Sequence, residues 1–317
     1  WSVNGTTVAT TATLDPSFFG KGDSVVCELT PNDRELGGVG TAVSSAAVVI
    51  VNSKPELASV SLDTLAPLTD DVVTATASGV DDADGDTVTL SYSWSVNGTE
   101  VYVDTTTALT STLDGATMFG KGDTIAVVVT PHDGSESGAS QASSVATVGN
   151  SAPSIDSASM SPGVLYTTTT ASASYSASDA DGDGLSGTVT WYVDGGEVAT
   201  GTSLDASYFS KGEAVHFSLT VTDGTDSDTF TSAAVTVSNS APTAASAVID
   251  PAAPLFDEDF QCTVPTAATD ADGDSITYTV TWTLDGSPWT GSTYTTTLAG
   301  DSIDAVDTTV GDVWACT

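Results

Sequence analysis

The pattern Trp-x-[Val/Leu]-[Asn/Asp]-Gly occurs four times, at Trp1, Trp94, Trp191 and Trp282, at intervals close to a hundred residues, the size of an immunoglobulin-like domain. A second marker, Asn-Ser-x-Pro, starts at Asn52, Asn150 and Asn239. A third begins with Leu-Asp at Leu14, Leu113 and Leu204 and runs on to Phe-x-Lys-Gly-[Asp/Glu]. The markers recur in one order, so the chain reads as a tandem array whose unit is far longer than a solenoid repeat.

Within a unit the periodicity is that of strands. From Trp282, steps of two place Val280, Tyr278, Ile276 and Leu284 on one face and Thr277, Thr279, Thr281 and Thr283 on the other, the alternation of a half-buried strand. Val88, Leu90, Tyr92, Trp94 and Val96 repeat it. The dipeptides Asn97-Gly98, Asp194-Gly195 and Asp285-Gly286 that follow supply the positive φ angles of a two-residue hairpin. In the third marker Asp15 is placed to cap a single helical turn with Pro16 at its first position. The next strand points Val25, Cys27 and Leu29 inward, matched by Ile125, Val127 and Val129 and by Val215, Phe217 and Leu219. No segment has a helical period. Roughly seven short strands per unit, with turns about every 8 to 12 residues, predict an all-β chain: a tandem array of Ig-like β-sandwiches forming an elongated rod. The expected units are a partial one at 1–51, complete ones at 52–149 and 150–238, and a partial one at 239–317. Residues 1–51 lack the first strands and residues 239–317 the last, as in a window on a longer repeat protein; end units completed by strand addition from neighbouring molecules are the alternative.

Charge narrows the partners. Five Lys and Arg face 42 Asp and Glu, a net charge of −37. Nucleic acid and anionic membrane need clustered cations that this chain lacks, and no apolar run approaches the ~18 residues of a membrane span. The charge must be hydrated, screened or neutralised by bound cations.

Asn-Ser-Ala-Pro junctions, Asp-x-Asp-Gly-Asp loops, a Trp strand ending in Asn-Gly or Asp-Gly, and Lys-Gly-Asp before a strand that can carry Cys together resemble the tandem Ig-like repeats of large bacterial surface proteins. These are similar in style to cadherin-like and PKD-like modules. The resemblance implies an extracellular or cell-surface stalk, adhesin or fibre, calcium as a stiffening ion, and neighbouring repeats of the same chain or fibre as partners, with surface glycans or other cells as further ones. On such a sandwich Cys262 and Cys316 take facing core positions on strands B and F, beside the tryptophan of strand C, and a disulfide between them is expected. The same offsets place Thr74 opposite Val127 and Ala171 opposite Phe217, while Cys27 has no partner within the chain. Three buried free thiols are the alternative.

The acidic loops carry three alternating carboxylates each: Asp82, Asp84 and Asp86; Asp179, Asp181 and Asp183; Asp270, Asp272 and Asp274. Such groups repel one another, and calcium, with roughly six to eight oxygen ligands, is the natural remedy. The spacing is not that of an EF-hand, because Ser93, Thr190 and Thr281 stand where a bidentate Glu is required. Further ligands must come from another loop, and Asp33, Asp133 and Asp223 in the turns TPND, TPHD and TVTD are placed to supply them, since the B-C and F-G loops share one end of a sandwich. The plainer alternative is Asp-Gly turns and a hydrated acidic surface.

Other signals have structural readings. Lys21-Gly22-Asp23 and Lys121-Gly122-Asp123 look like an integrin-binding tripeptide but precede a strand, as a turn does. Asn4-Gly5-Thr6 and Asn97-Gly98-Thr99 fit the N-glycosylation pattern and equally the hairpin. Thr105 to Thr107, Thr167 to Thr170 and Thr295 to Thr297 are candidate O-glycan acceptors or exposed strand faces. His132 and His216 have no nucleophile beside them, and no phosphate loop, zinc spacing or nucleophile elbow is present, so the chain reads as non-catalytic. A carbohydrate-binding array, with Tyr102, Tyr192 and Trp289 as candidate platforms, and an appendage of a secreted hydrolase are the alternative functions.

Overall fold

A computed structural model describes residues 1–317 in full. Apart from one helical turn at Gly115–Met118 and three 3-10 turns, every regular element is a strand, and the chain is an all-β array of Ig-like sandwiches. No helix is long and apolar enough to cross a membrane. Chain contacts define two compact units, Trp1–Ala152 with Asp179–Gly184, and Pro153–Ser178 with Leu185–Thr317.

In the first unit the Trp94 strand, Thr89–Val96, pairs antiparallel with Thr99–Thr106 on one side and Thr124–His132 on the other. A facing sheet is built from Glu56–Leu62, Val72–Asp81 and Thr110–Asp114. The alternation read from the sequence decides which side chains lie between the sheets: Leu90, Tyr92 and Trp94 are buried, opposite Pro131, Val129 and Val127 respectively in register. A buried indole must keep a partner for its N–H, and Trp94 Nε1 donates to Ser111 Oγ at 3.2 Å. Residues near the N-terminus form a further sheet from Ser2–Val3, Thr6–Thr7, Ser24–Val26 and Val48–Val49, with Trp1 Nε1 donating to Thr11 O.

The second unit repeats the plan. Ser186–Val193 lies between Gly196–Thr200 and Ala214–Thr222, and its facing sheet is Ser154–Ser161, Ala171–Ser178 and Ser203–Leu204. Trp191 and Phe217 are fully buried against each other, ring centroids 5.4 Å apart. A smaller core of Phe260, Cys262, Trp282 and Ile303 follows, between Ser246–Asp250, Phe260–Thr266 and Ser302–Ile303 on one side and Trp282–Leu284 and Trp314–Cys316 on the other.

Local chemistry sets the turns. Asn4, Asn97, Asp194 and Asp285 take positive φ next to Gly5, Gly98, Gly195 and Gly286, the two left-handed positions of a type I′ hairpin. Asp15, Asp114, Asp205 and Asp304 each cap a short helical turn by accepting the N–H two residues on.

Three sequence expectations are corrected. Leu29, expected to point inward, is exposed. Thr74 faces outward; the core positions of its strand are Val73, Ala75 and Ala77. Aligned on the preceding turn, where Leu68, Tyr166 and Leu255 N–H each bond the side chain three residues on, Cys262 corresponds to Ala75 and Ala173. The count back from the loop glycine slips because the strand-to-loop connection differs in length between repeats. The strand expected over residues 276–284 is reduced to Trp282–Leu284, paired with Trp314–Cys316. Its alternation survives in half-buried Ile276, Tyr278 and Val280 against exposed Thr277 and Thr279.

Cys262 and Cys316 are disulfide-bonded across the small core, with Cα atoms 6.1 Å apart, while Cys27 is a free thiol. The bond spans 54 residues, and closing a loop of that length restricts the unfolded chain by about 4 kcal/mol. Reduction is therefore expected to destabilise the Trp282 sandwich by several kcal/mol and leave the Trp94 and Trp191 cores unchanged; hydrogen exchange with and without reductant measures it.

Asp301, wholly buried, was not singled out from the sequence. Burial pushes its carboxyl up, but the N–H groups of Leu298, Thr296 and Thr297 and the Thr296 hydroxyl outweigh this and hold it well below the ordinary aspartate range. A depressed folded pKa contributes stability that is present above the unfolded value near ~3.9 and is lost as pH falls below it. Acid titration of thermal unfolding should therefore lower the midpoint of the Trp282 sandwich below about pH 4, with Asp301→Asn showing a shallower pH slope.

Candidate functional site

The acidic loops hold their carboxylates close together: in each triplet one oxygen from every Asp lies within 4.8 Å of the others. Repulsion at that distance must be offset locally, and the three loops solve it in the same way. The first carboxylate folds the loop. Asp82 Oδ1 accepts the N–H of Asp84 and Asp86, Asp179 Oδ1 those of Asp181 and Asp183, and Asp270 Oδ1 those of Asp272 and Asp274. Gly85, Gly182 and Gly273 take the positive φ that the loop requires.

The middle carboxylate binds the Asn-Ser-x-Pro segment. Ser53 N–H reaches Asp84 Oδ2 at 2.6 Å, Ser151 N–H reaches Asp181 Oδ2 at 2.6 Å, and Ser240 N–H reaches Asp272 Oδ2 at 2.5 Å. Asp181 also accepts the hydroxyl of Thr69, and Asp272 that of Thr167. These bonds hold both carboxyls below the usual range, Asp181 against the opposing effect of burial and Asp272 chiefly through Thr167.

The third carboxylate carries an ion pair. Lys21 Nζ lies 2.6 Å from Asp86 Oδ2, Lys121 Nζ 2.6 Å from Asp183 Oδ2, and Lys211 Nζ on Asp274 Oδ2. The hydrogen bonds to Asp86 and Asp274 raise the pKa of Lys21 and Lys211 respectively. Each lysine precedes a glycine of positive φ, Gly22, Gly122 or Gly212, in the Lys-Gly-[Asp/Glu] turn. Asp23, Asp123 and Glu213 close that turn by accepting the N–H three residues back. The tripeptide is thus a turn whose lysine is engaged.

Asp133 and Asp223 stand outside the triplet clusters. Each closes its own hairpin, Asp133 Oδ1 accepting from Ser135 and Glu136 N–H and Asp223 Oδ1 from Thr225 and Asp226 N–H. Asp133 is joined to the linker by Asn52 Nδ2 at 2.7 Å, and this bond, with the Glu136 N–H, takes its pKa down to about 2. Asp33 likewise accepts Glu35 N–H in its own turn.

Sequence reasoning found the nine triplet carboxylates and missed their partners. A signal existed: three of the chain's four lysines occupy the same repeat position. The Thr-rich stretches are less available to modification than their composition implies, since Thr167 bonds Asp272 and the hydroxyls of Thr296 and Thr297 bond Asp301. Trp289 packs on Trp314 at 4.9 Å, and Tyr192 stacks on His216. Of the three aromatic candidates, only Tyr102 lies open on a strand without a ring partner.

Each ion pair is partly exposed and worth about 0–1 kcal/mol, so replacing Lys121 by Gln should scarcely move global stability. Local opening should rise instead: amide exchange at Ser151 and at Asp181 to Asp183 is expected to quicken several-fold, while the Trp94 core stays protected. Unchanged exchange would mean that Lys121 does not hold the loop.

No protein-family model and no curated protein sequence matches the chain. Among solved structures, the chain is similar at 11% identity to the FN1–FN3 domains of chicken CNTN1, over 68% of this chain and 78% of that one, with a TM-score of 0.28. It is similar at 13% identity to the eight N-terminal Ig domains of Down Syndrome Cell Adhesion Molecule, over 89% of this chain and 37% of that one, TM-score 0.32. A third likeness, at 14% identity over 74% of this chain and 78% of that one, TM-score 0.24, is to three N-terminal domains of the bacteriophage RB49 Highly Immunogenic Outer Capsid protein.

Proposed function

We propose that the chain is a structural repeat segment of an extracellular bacterial surface fibre or giant adhesin, divided into units at 1–51, 52–149, 150–238 and 239–317, and that it serves as a non-catalytic spacer. The observation that carries this reading is the threefold recurrence of one junction set: a Lys-Gly turn, an Asn-Ser-x-Pro linker and an Asp triplet, bonded to one another at equivalent positions each time. A lone active site has no reason to recur in this way, whereas a spacer must repeat its joint at every step. The net charge of −37 keeps such a segment hydrated and apart from nucleic acid and anionic lipid. The Cys262–Cys316 disulfide suits an oxidising, extracytoplasmic compartment.

Calcium is the ion we assign to the triplets. The donor set fits: three carboxylates lie within reach of one centre, and two acceptor oxygens of the first junction, Asp82 Oδ2 and Asn52 Oδ1, are buried without a donor, as is Asp179 Oδ2 in the second. An unsatisfied buried carboxylate oxygen is costly, and a hard cation relieves that cost. Asp82, Asp84 and Asp86 with Asn52 would hold the ion at the first junction, and Asp179, Asp181, Asp183 and Asp270, Asp272, Asp274 at the others. When bound it would neutralise the loop and supply the stiffness that a fibre needs.

Calorimetric titration of the whole chain with calcium should show sites in the ~10⁻⁴ to 10⁻³ M range of extracellular modules. Asp181→Asn with Asp183→Asn should abolish one of them. Lys121→Gln should tighten the same site, because it removes a tethered cation that occupies Asp183. X-ray scattering in calcium and in chelator reads the stiffness. Absence of heat at millimolar calcium would leave the loops as lysine-clamped turns.

A further inference from the structure

The two carboxylate oxygens of Asp133 do separate work. Oδ1 closes its own hairpin by accepting the N–H groups of Ser135 and Glu136. Oδ2 takes no part in that turn and accepts Asn52 Nδ2 at 2.7 Å, across 81 residues of chain. The side chain is 8% exposed, and a charge-assisted hydrogen bond at that depth is both strong and directional.

This bond decides which way round the Asn52 amide lies. Nδ2 carries two hydrogens, and both of its neighbours, Ser53 O and Asp133 Oδ2, are acceptors with no hydrogen of their own. The planar amide therefore turns Oδ1 the opposite way, and there the oxygen is buried with no donor. Asp82 Oδ2 is in the same condition at this junction, and the Ser53 N–H on Asp84 Oδ2 holds the linker against the Asp82 loop. Buried oxygens without a donor are disfavoured unless a cation meets them, and an asparagine carbonyl is an ordinary calcium ligand. With the amide the other way round, Nδ2 would face the loop as a donor and Asn52 would hold no ion.

We propose that Asp133 is a positioning residue of the first calcium site. Through Asn52 Nδ2 it fixes the amide with Oδ1 turned to the Asp82, Asp84 and Asp86 loop, and so supplies an uncharged ligand without touching the ion itself. The inference rests on the assignment of calcium to that loop. It explains why Asp133 stands outside the triplet cluster and yet gives one oxygen to the linker. It also accounts for an amide at position 52, since an aspartate there would set carboxylate against carboxylate at Asp133.

The test uses the full chain with calcium as the probe. In one NMR titration of protein carrying isotope-labelled glycine, the backbone amide of Gly85 reports the first loop and that of Gly182 the second. Asp133→Asn keeps Oδ1 for the hairpin but offers Asn52 an amide nitrogen in place of Oδ2. Two donors then face each other, so Asn52 turns over and directs its N–H into the acidic loop. Outer-shell partners of metal ligands are typically worth 10- to 100-fold in affinity, so half-saturating calcium at Gly85 should rise by about tenfold or more while Gly182 is unmoved. Asp133→Asn combined with Asn52→Asp restores the complementary pair with donor and acceptor exchanged, leaves one carboxylate oxygen for the loop, and keeps the net charge of wild type. That double variant should recover the wild-type affinity or exceed it, and the dispersion of the same spectra shows that both variants fold. An unchanged midpoint at Gly85 in Asp133→Asn overturns the proposal and leaves calcium in place, because Asp133 then does no more than close its hairpin. Weakening that the double variant fails to reverse also overturns it, since the loss is then one of charge or of the turn. A wild type whose Gly85 signal ignores millimolar calcium removes the calcium assignment, and the positioning role with it.

Discussion

Mutual repulsion among three carboxylates within 4.8 Å of one another is the constraint on which the joints of this protein turn. Each loop disperses it by giving its three Asp residues different work. The first turns inward on its own loop, the middle one accepts a backbone N–H from the linker, and the third accepts an ammonium group. Any one of these bonds is weak at a partly exposed site, and the ion pair alone is worth little. Their combination ties each loop to its linker and to the Lys-Gly turn. Three of four lysines in a chain with 42 acidic residues are placed at these loops, which is where a scarce cation has the most charge to neutralise.

The sandwiches themselves rest on a simpler device. A tryptophan lies between two sheets, its indole N–H satisfied by Ser111 Oγ, Gly201 O or Gly300 O. The hairpin that follows locks the strand register, so the burial of Trp94, Trp191 and Trp282 and the two-residue turns after them are parts of one motif. Where the apolar core is extensive, around Trp94 and Trp191, Ala75 and Ala173 face Val127 and Phe217 with no covalent tie. Beside Trp282 the equivalent positions are Cys262 and Cys316, and a disulfide joins them.

That sandwich also differs at its rim. Phe256 and Val310 stand in place of a threonine and a lysine, on turns closed by the same local hydrogen bonds.

Much of this was legible in the sequence because it depends on local rules. Period-two alternation identified the faces of the Trp94 strand, Asn-Gly and Asp-Gly identified the hairpins, and Asp15 before Pro16 identified the first cap; each is decided by residues within a few positions of one another. The Cys262–Cys316 pair was legible because a repeated domain lends each residue a known place between sheets. The choice of Ala75 over Thr74 as the position equivalent to Cys262 was not, because connection lengths vary between repeats. The lysine and threonine partners of the triplets lie 62 to 112 residues from the carboxylates they meet. Composition marked the loops as charge that needed neutralising; which cation and which hydroxyl reach them was decided only by the tertiary structure, since nothing local in a sequence specifies contact across such a separation.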